Sequence, residues 1–261
     1  MVTSEKKETV ELYEVQSKFY DAIWGNRPQE ANFYSWLASN YGKKVLELGV
    51  GTAALALPLA LEGYEVTGID NSPDMLAIAE QKLGGYDDTI KQRLKLVNAD
   101  MRSFDLPGKD FDFAFIAFNT FLHLLTHEEQ LNCLHCIEGH LRHRGGLVID
   151  VFQLDPRRPE GILKLDLTIK TPQSGADFVK YSQQYMDYAK QVMDIYDVYY
   201  LTEKGGSRTY TTKYQNRILL RGELELLLDK AGFEIINVFG SFDREPHGTT
   251  SRKIITLAEK K

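Results

Sequence analysis

Hydrophobic and polar positions follow two periods along the chain, and each period predicts a different kind of element. Residues 10–24 and 28–42 place apolar side chains at helical spacing, so two helices are expected before the first strand. Short apolar runs typical of buried strands then recur at 44–49, 64–70, 94–100, 111–118 and 146–152. Helical stretches separate most of these runs, including 72–83 and 126–143. Strands that alternate with helices predict a doubly wound, mostly parallel α/β sheet.

After Pro156 the pattern changes to aromatic and β-branched stretches with a period of two. They predict two or three antiparallel strands, with a hairpin turn at 204–206 (Lys-Gly-Gly). A helix at 221–232 and a final pair of strands then resume the α/β pattern. The expected organisation is an N-terminal α/β part (1–154), an antiparallel insertion (155–216) and a C-terminal helix and hairpin (217–261).

Composition and charge narrow the class of protein. Of the 261 residues, 43% are hydrophobic and 26% are charged, which is typical of a globular chain. The net charge of −6 disfavours a nucleic-acid partner. The first 14 residues are polar and lack the apolar core that a signal peptide has, and the apolar stretch 111–125 is too short for a bilayer span. We therefore expect a cytoplasmic protein without a membrane partner.

The stretch 49–54 (GVGTAA) predicts a tight turn between a strand and a helix. It fits a relaxed dinucleotide fingerprint, and Asp70 lies at the end of the next strand, where a carboxylate can bind ribose hydroxyls. No Gly-Lys-Ser/Thr follows, so a P-loop is excluded. Three interpretations remain: a nicotinamide dinucleotide site, an S-adenosylmethionine site, or a turn without a ligand.

Two further acids favour S-adenosylmethionine over a dinucleotide. Glu47 stands at the end of the first strand, where a buried acid can accept from ligand N–H groups. Asp100 ends the third strand, on the sheet edge where α/β folds bind ligands. The C-terminal pair of strands indicates a sheet finished by an antiparallel strand, which an oxidoreductase interpretation leaves unexplained.

Here the chain resembles the class I S-adenosylmethionine-dependent methyltransferases over roughly residues 10–152 and 217–259. The motifs that carry the resemblance are VLELGVGTA, GYEVTGIDNSPDMLAIA, NADMRSFDL, LRHRGGLVIDVF and ELELLLDKAGFEI. The resemblance implies a Rossmann-like seven-stranded sheet of order 3-2-1-4-5-7-6 with strand 7 antiparallel, N-terminal helices and a small antiparallel β insertion. It also implies S-adenosylmethionine as methyl donor and S-adenosylhomocysteine as product.

The same resemblance assigns residues to the donor. The implied donor-binding residues are Tyr20, Glu47, Gly49, Gly51, Asp70, Asn71, Met75, Asp100 and Met101. Of these, Glu47 and the two glycines line the methionine part, Asp70 holds the ribose hydroxyls and Asp100 accepts from the adenine amino group. Two further candidates have alternatives: Arg27 pairs with the donor's carboxylate or is a solvated surface arginine, and Phe118 shapes the pocket or packs in the core. Ala53 replaces a third glycine often found in the family.

His123, just after the fourth strand, is the candidate general base. Within the family the chain looks most like small-molecule N-methyltransferases that dimethylate amino sugars, which implies a small-molecule acceptor with an amine nitrogen. The alternatives are a structural His123, a small-molecule O-methyltransferase, and a non-catalytic protein that binds the donor. Oligomeric state is left open between monomer and homodimer.

Two other groups of residues have competing interpretations. Eight of the fourteen tyrosines lie in the insertion, where they are expected to cover the acceptor or to pack as a small sheet. Cys136, His140 and His143 share helical spacing, but a zinc site normally takes four ligands from more than one element. A partly buried stripe explains them better, so no metal is expected.

Overall fold

The computed structural model describes residues 7–9, 20–21, 27–157, 159–171, 176–203 and 206–261. The chain divides into two compact units. The larger comprises Trp24–Asp155 and Leu219–Lys261, and the smaller comprises Met1–Ile23 and Pro156–Ile218.

The described strands and helices are numbered in chain order. The strands are β1 (Lys7–Thr9), β2 (Lys44–Leu48), β3 (Glu65–Asp70), β4 (Leu94–Asn98), β5 (Phe111–Ile116), β6 (Leu141–Phe152), β7 (Lys164–Thr171), β8 (Ala176–Asp187), β9 (Val192–Glu203), β10 (Gly206–Arg217), β11 (Phe233–Phe239) and β12 (Lys253–Lys260). The α-helices are α1 (Pro28–Ala38), α2 (Ala56–Leu61), α3 (Pro73–Gly84), α4 (Asp88–Arg93), α5 (His127–His140) and α6 (Arg221–Lys230).

Seven strands form the mixed sheet of the larger unit, in the order β11-β12-β6-β5-β2-β3-β4. Strands β2 to β6 run parallel, whereas β12 is antiparallel to both β6 and β11. The predicted order 3-2-1-4-5-7-6 with strand 7 antiparallel is therefore confirmed. Leu48 pairs with Ile69 on one side and with Ile116 on the other, so β2, β3 and β5 end level with one another.

Helices cover a sheet that is apolar on both faces. Val45 and Phe113 belong to one buried cluster, and their neighbours Leu46 and Ala114 belong to a second. Because adjacent residues of a strand point to opposite faces, the two clusters are the two sides of the sheet. Such a sheet must be covered on each side, which explains why helices and strands alternate in the sequence.

The smaller unit contains a five-stranded sheet in the order β1-β10-β9-β8-β7. Strands β7 to β10 form an antiparallel meander of four strands, where the sequence analysis expected two or three. The polar segment Lys7–Thr9 adds a further strand parallel to β10, so the N-terminal segment does not group with the α/β part as expected. Most of the predicted first helix and the turn residues 204–205 lie outside the described residues.

The helix predicted at 126–143 is too long, because α5 ends at His140 and β6 begins at Leu141. The pairing of β5 with β6 explains the difference: Phe111 pairs with Leu141 and Phe113 with Gly146, so extra residues bulge out of β6. A Cβ atom at Gly146 would lie 2.7 Å from the Tyr41 ring, so the strand requires glycine there.

The chain leaves β5 through two consecutive left-handed residues, Phe118 (φ 55°) and Asn119 (φ 68°). This conformation is costly for residues other than glycine, so other contacts must stabilise it. The buried Asp150 accepts from the Phe118 N–H through its carboxylate (3.2 Å) and from the Asn119 N–H through its carbonyl oxygen (3.0 Å). The Asn119 side chain accepts from the Phe152 N–H (2.6 Å), and Lys253 pairs with the Asp150 carboxylate (2.7 Å).

Removing the cation of this buried pair should destabilise the larger unit. Lys253→Met leaves the fully buried Asp150 carboxylate without its ion-pair partner, so the free energy of unfolding should fall by roughly 3 kcal/mol in a urea titration. Lys261→Met, which removes an exposed pair with Asp229, is the matched control and should change it by less than about 1 kcal/mol. Equal effects of the two substitutions would contradict the role given to the buried pair.

Candidate active site

The turn between β2 and α2 has three left-handed residues: Gly49 (φ 71°), Gly51 (φ 53°) and Ala53 (φ 60°). A Cβ atom at Gly49 would lie 2.4 Å from the Cγ2 methyl of Thr120, so this glycine lets the segment after β5 come against the end of β2. At Gly51 the nearest atom to such a Cβ is the Met75 methyl, 3.5 Å away. Ala53 adopts the left-handed conformation that favours glycine.

The Asp70 carboxylate connects the glycine turn to the start of α3. One oxygen accepts from the Gly51 N–H and the other from the Ser72 N–H, each at 2.8 Å. Burial raises the pKa of Asp70, and these backbone hydrogen bonds partly offset that rise. Since Asp70 remains partly exposed, its oxygens can still accept from a ligand.

Glu47 ends β2 as a buried acid with unsatisfied hydrogen-bonding capacity. Its side chain is 3% exposed, its Oε2 has no hydrogen-bond partner, and the Ala56 backbone N–H donates to the carboxylate. Burial, together with the Asp70 carboxylate, raises its pKa well above the ordinary range. A buried acceptor without a hydrogen-bond partner destabilises the fold unless a ligand donates a hydrogen bond to it or a cation pairs with it.

Tyr34 on α1 is a second buried group that the sequence analysis missed. Its ring stacks on Phe115 of β5 (4.5 Å between centroids), and its hydroxyl has no hydrogen-bond partner. Burial and the nearby carboxylates of Asp150, Glu47 and Glu30 raise its pKa. Its helical, apolar setting resembles an ordinary core position, so nothing in the sequence pattern distinguishes it.

Three further predicted donor residues follow β3 and β4. Met75 is buried in the first turn of α3, whose start is capped by the Ser72 hydroxyl, while Asn71 is exposed. Met101 is partly buried against the apolar cluster that contains Leu46.

Asp100, the predicted acceptor from adenine, is engaged by a neighbouring side chain. Both of its oxygens accept from the Arg102 guanidinium at 2.6–3.0 Å, which lowers the pKa of Asp100. Arg102 also pairs with Glu129 at 2.6 Å. A ligand amino group must share this carboxylate with Arg102.

Arg27 and Phe118, two further predicted residues, lie in contact, with the guanidinium carbon 4.8 Å from the ring centroid. Arg27 also pairs with Glu30 (2.8 Å).

His123 is the last residue of a short 3₁₀ helix, Thr120–His123, and is half-buried. Because side chains three residues apart eclipse in a 3₁₀ helix, His123 lies on the same side of this helix as Thr120. Tyr20, helical and half-buried, belongs to the smaller unit.

The histidine and cysteine stripe of α5 is part of the packing. The ring of His140 accepts from the Leu106 N–H (3.0 Å) and contacts the Cys136 carbonyl oxygen (2.7 Å), so backbone groups occupy both of its nitrogens. Cys133 is fully buried, and burial raises the pKa of its thiol.

Of the helices that the structure describes, none has both the length and the apolarity needed to span a membrane.

Comparison with known proteins agrees with this geometry. Residues 45–145 match the methyltransferase domain family. The cypemycin N-terminal methyltransferase of Streptomyces sp is 27% identical, over 92% of this chain and 94% of that protein.

Two solved structures share the fold. The CcbJ methyltransferase of Streptomyces caelestis is 24% identical with a TM-score of 0.78, covering 94% of this chain and 96% of that one. An amino pentose methyltransferase of Micromonospora echinaspora, solved with S-adenosylmethionine bound, is 22% identical with a TM-score of 0.73, covering 99% and 100%.

The residues at the ends of β2 and β3 fit S-adenosylmethionine, which carries an ammonium, a sulfonium and two ribose hydroxyls. Glu47 Oε2 is a buried acceptor without a partner, Asp70 presents a carboxylate, and Gly51 leaves a space without a side chain beside Met75. The fold, this donor set and the matched methyltransferase domain agree: the chain has a methyltransferase fold and is an S-adenosylmethionine-dependent methyltransferase.

Proposed function

We propose that the chain methylates an amine nitrogen of a small polar molecule, with His123 as general base. The observation that carries the proposal is the 3₁₀ helix after β5. Its Thr120 lies against Gly49, and His123 lies on the same side of the helix one turn later. The position supports a histidine that faces the methyl donor. Two similar proteins, the cypemycin N-terminal methyltransferase and the amino pentose methyltransferase, support an amine acceptor.

Bound S-adenosylmethionine supplies a methyl group on a positively charged sulfur, which keeps the electron pair of the broken carbon–sulfur bond. The task left to the protein is to align the nucleophile and remove its proton. An alkylammonium has no free lone pair, and an unperturbed imidazole is mostly neutral at pH 7, so histidine is suited to accept that proton. The acid at Glu47 would stabilise the donor's ammonium, and Asp70 its ribose hydroxyls. Arg27 would pair with the donor's carboxylate.

The reaction class is tested by incubating the chain with S-adenosylmethionine and a panel of small amines and phenols, scored by mass spectrometry. The proposal is supported if amines alone gain 14 or 28 Da in mass. These gains correspond to about one or two CH₂ units, because each added methyl group replaces a hydrogen. Methylation of phenols alone would make the chain an O-methyltransferase, and absence of S-adenosylhomocysteine with every acceptor would make it a donor-binding protein.

His123→Ala should lower kcat by about 10²- to 10⁴-fold, the usual contribution of a general base. The affinity for S-adenosylmethionine should stay nearly unchanged, because the donor contacts come from other strand ends. Steady-state kinetics and calorimetry measure the two effects separately. His135→Ala, which changes an exposed histidine of α5, is the matched control. Near-normal turnover of His123→Ala at neutral pH would show that His123 is structural.

Asp70→Ala should weaken donor binding by roughly ten- to a hundredfold, because hydrogen bonds to a charged group contribute about 1.5–3 kcal/mol. Since Asp70 also accepts from Gly51 and Ser72, Asp70→Asn is measured alongside to separate loss of charge from disorder of the turn. Asp74→Ala alters an exposed acid in the first turn of α3 and serves as control. Unchanged affinity in a folded Asp70→Ala variant would remove this residue from the donor site.

Donor affinity should increase between pH 5 and 7. Burial raises the pKa of Glu47 in the free chain, so a fraction of this carboxyl is protonated there at the lower end of the range. The cationic donor favours the ionised form of Glu47, so binding releases a proton and the donor affinity increases as the pH rises through the pKa of Glu47. The pH range stops at 7 because the donor's own α-amino group has an ordinary pKa of about 7.7. Glu47→Gln should bind more weakly at pH 7 and show a smaller rise. Titrations with the same pH slope in both proteins would exclude Glu47 as its source.

A further inference from the structure

The Arg102 side chain joins two acids that come from different elements of the larger unit. Asp100 follows β4, and its two carboxylate oxygens accept from the Arg102 guanidinium at 2.6–3.0 Å. Glu129 lies in the first turn of α5 and accepts from Nη1 of the same guanidinium at 2.6 Å. The Cys136 thiol donates to the Arg102 carbonyl oxygen (3.4 Å), so the backbone of Arg102 also contacts α5. Arg102 therefore connects the end of β4 with α5.

The first turn of α5 in turn holds the residues that follow the 3₁₀ helix. The second oxygen of Glu129 accepts from the backbone N–H groups of Leu125 (2.9 Å) and Thr126 (3.2 Å). The side-chain amide of the neighbouring Gln130 donates to the Leu124 carbonyl oxygen (3.3 Å). The position of Glu129 therefore fixes the backbone directly after the helix that carries the proposed general base.

Stability alone does not explain the contact between Arg102 and Glu129. It is a single hydrogen-bonded ion pair between side chains that are 45% and 30% exposed, and pairs of this exposure contribute little to the free energy of folding. Its geometry is specific, however, because the planar guanidinium binds Asp100 through two nitrogens and Glu129 through the third. Such a contact is suited to fixing positions.

Asp100, the predicted acceptor for the adenine amino group, is the point at which the donor would meet this connection. A carboxylate has about four acceptor sites. Asp100 uses them for the backbone N–H of Arg102 (2.9 Å) and for Nε and Nη2 of its guanidinium. An adenine amino group that donates to Asp100 must therefore displace part of the guanidinium contact. Glu129 is the other acid that Arg102 contacts, so the guanidinium then interacts more strongly with Glu129.

We infer that Arg102 is a positioning residue that couples the adenine end of the donor site to the segment that carries His123. This inference rests on the proposed function and on the predicted role of Asp100. When adenine shares the Asp100 carboxylate, Arg102 is directed toward Glu129, and Glu129 fixes the backbone that follows His123. The base is thus held more firmly when the donor is bound.

Adenosine tests the coupling without turnover, because it carries the adenine and lacks the methionine part of the donor. It is titrated into the chain while NMR follows the imidazole signals of His123, which are assigned by their loss in His123→Ala. We expect adenosine to shift these signals in the wild-type chain. Glu129→Gln should abolish most of that shift and leave the affinity for adenosine unchanged, because glutamine still caps a helix but cannot form the ion pair.

Turnover gives a second readout with any amine that is found to be methylated. Glu129→Gln should lower kcat by about tenfold and leave the affinity for S-adenosylmethionine unchanged. In the His123→Ala background the same substitution should have no further effect on kcat, because Glu129 acts through His123. Arg102→Lys keeps the charge but loses the fork, so it should lower kcat as Glu129→Gln does.

Glu128→Gln is the matched control, since it makes the same change of charge at an exposed acid of the same helical turn. Equal effects of Glu128→Gln and Glu129→Gln would overturn the inference, as would an unshifted His123 signal at the highest adenosine concentration. A lower unfolding midpoint of Glu129→Gln with an unchanged His123 shift would make the contact purely structural. If His123→Ala keeps normal turnover while adenosine still shifts His123 through Glu129, the proposed function fails and the coupling stands.

Discussion

The shared Asp70 carboxylate is the interaction on which the geometry of the candidate donor site depends. It is bound at once by the Gly51 N–H of one loop and the Ser72 N–H of the next, so the ends of β2 and β3 are held together before any ligand arrives. Gly49 completes the arrangement from the other side, since only the absence of its Cβ admits Thr120. Strand pairing brings the three strand ends level, and one carboxylate and one missing side chain then let the loops that follow them meet.

The larger unit is built from features that are visible in sequence. Apolar runs flanked by helices predicted its strands, and Gly49 and Gly51 predicted the tight turn after β2, because each of these residues has a local physical reason to stand where it does. The features that were missed depend on contacts between distant segments. Polar Lys7–Thr9 becomes a strand only through β10, and β6 starts early because Leu141 meets Phe111. Arg102 competes for Asp100 through a side-chain conformation that spacing does not predict.

Buried charge is used differently in the two units. In the larger unit, Lys253 neutralises the Asp150 carboxylate, and Asp150 in turn stabilises the left-handed backbone of Phe118 and Asn119. In the smaller unit, Lys180 lies between the carboxylates of Asp166 and Asp197 and neutralises only one of the two.

The position of β12 has a consequence for how the protein is made. Among the seven strands of the larger sheet it is the last in the chain, yet it lies between β6 and β11. On the ribosome, the other six strands emerge while this place in the sheet is empty, so β11 has no neighbour to pair with and β6 presents an open edge. Lys253, the ion-pair partner of Asp150, arrives on the same strand. The nascent chain therefore exposes a sheet edge and an uncompensated carboxylate until its last strand is inserted, and at that stage a chaperone has most to protect.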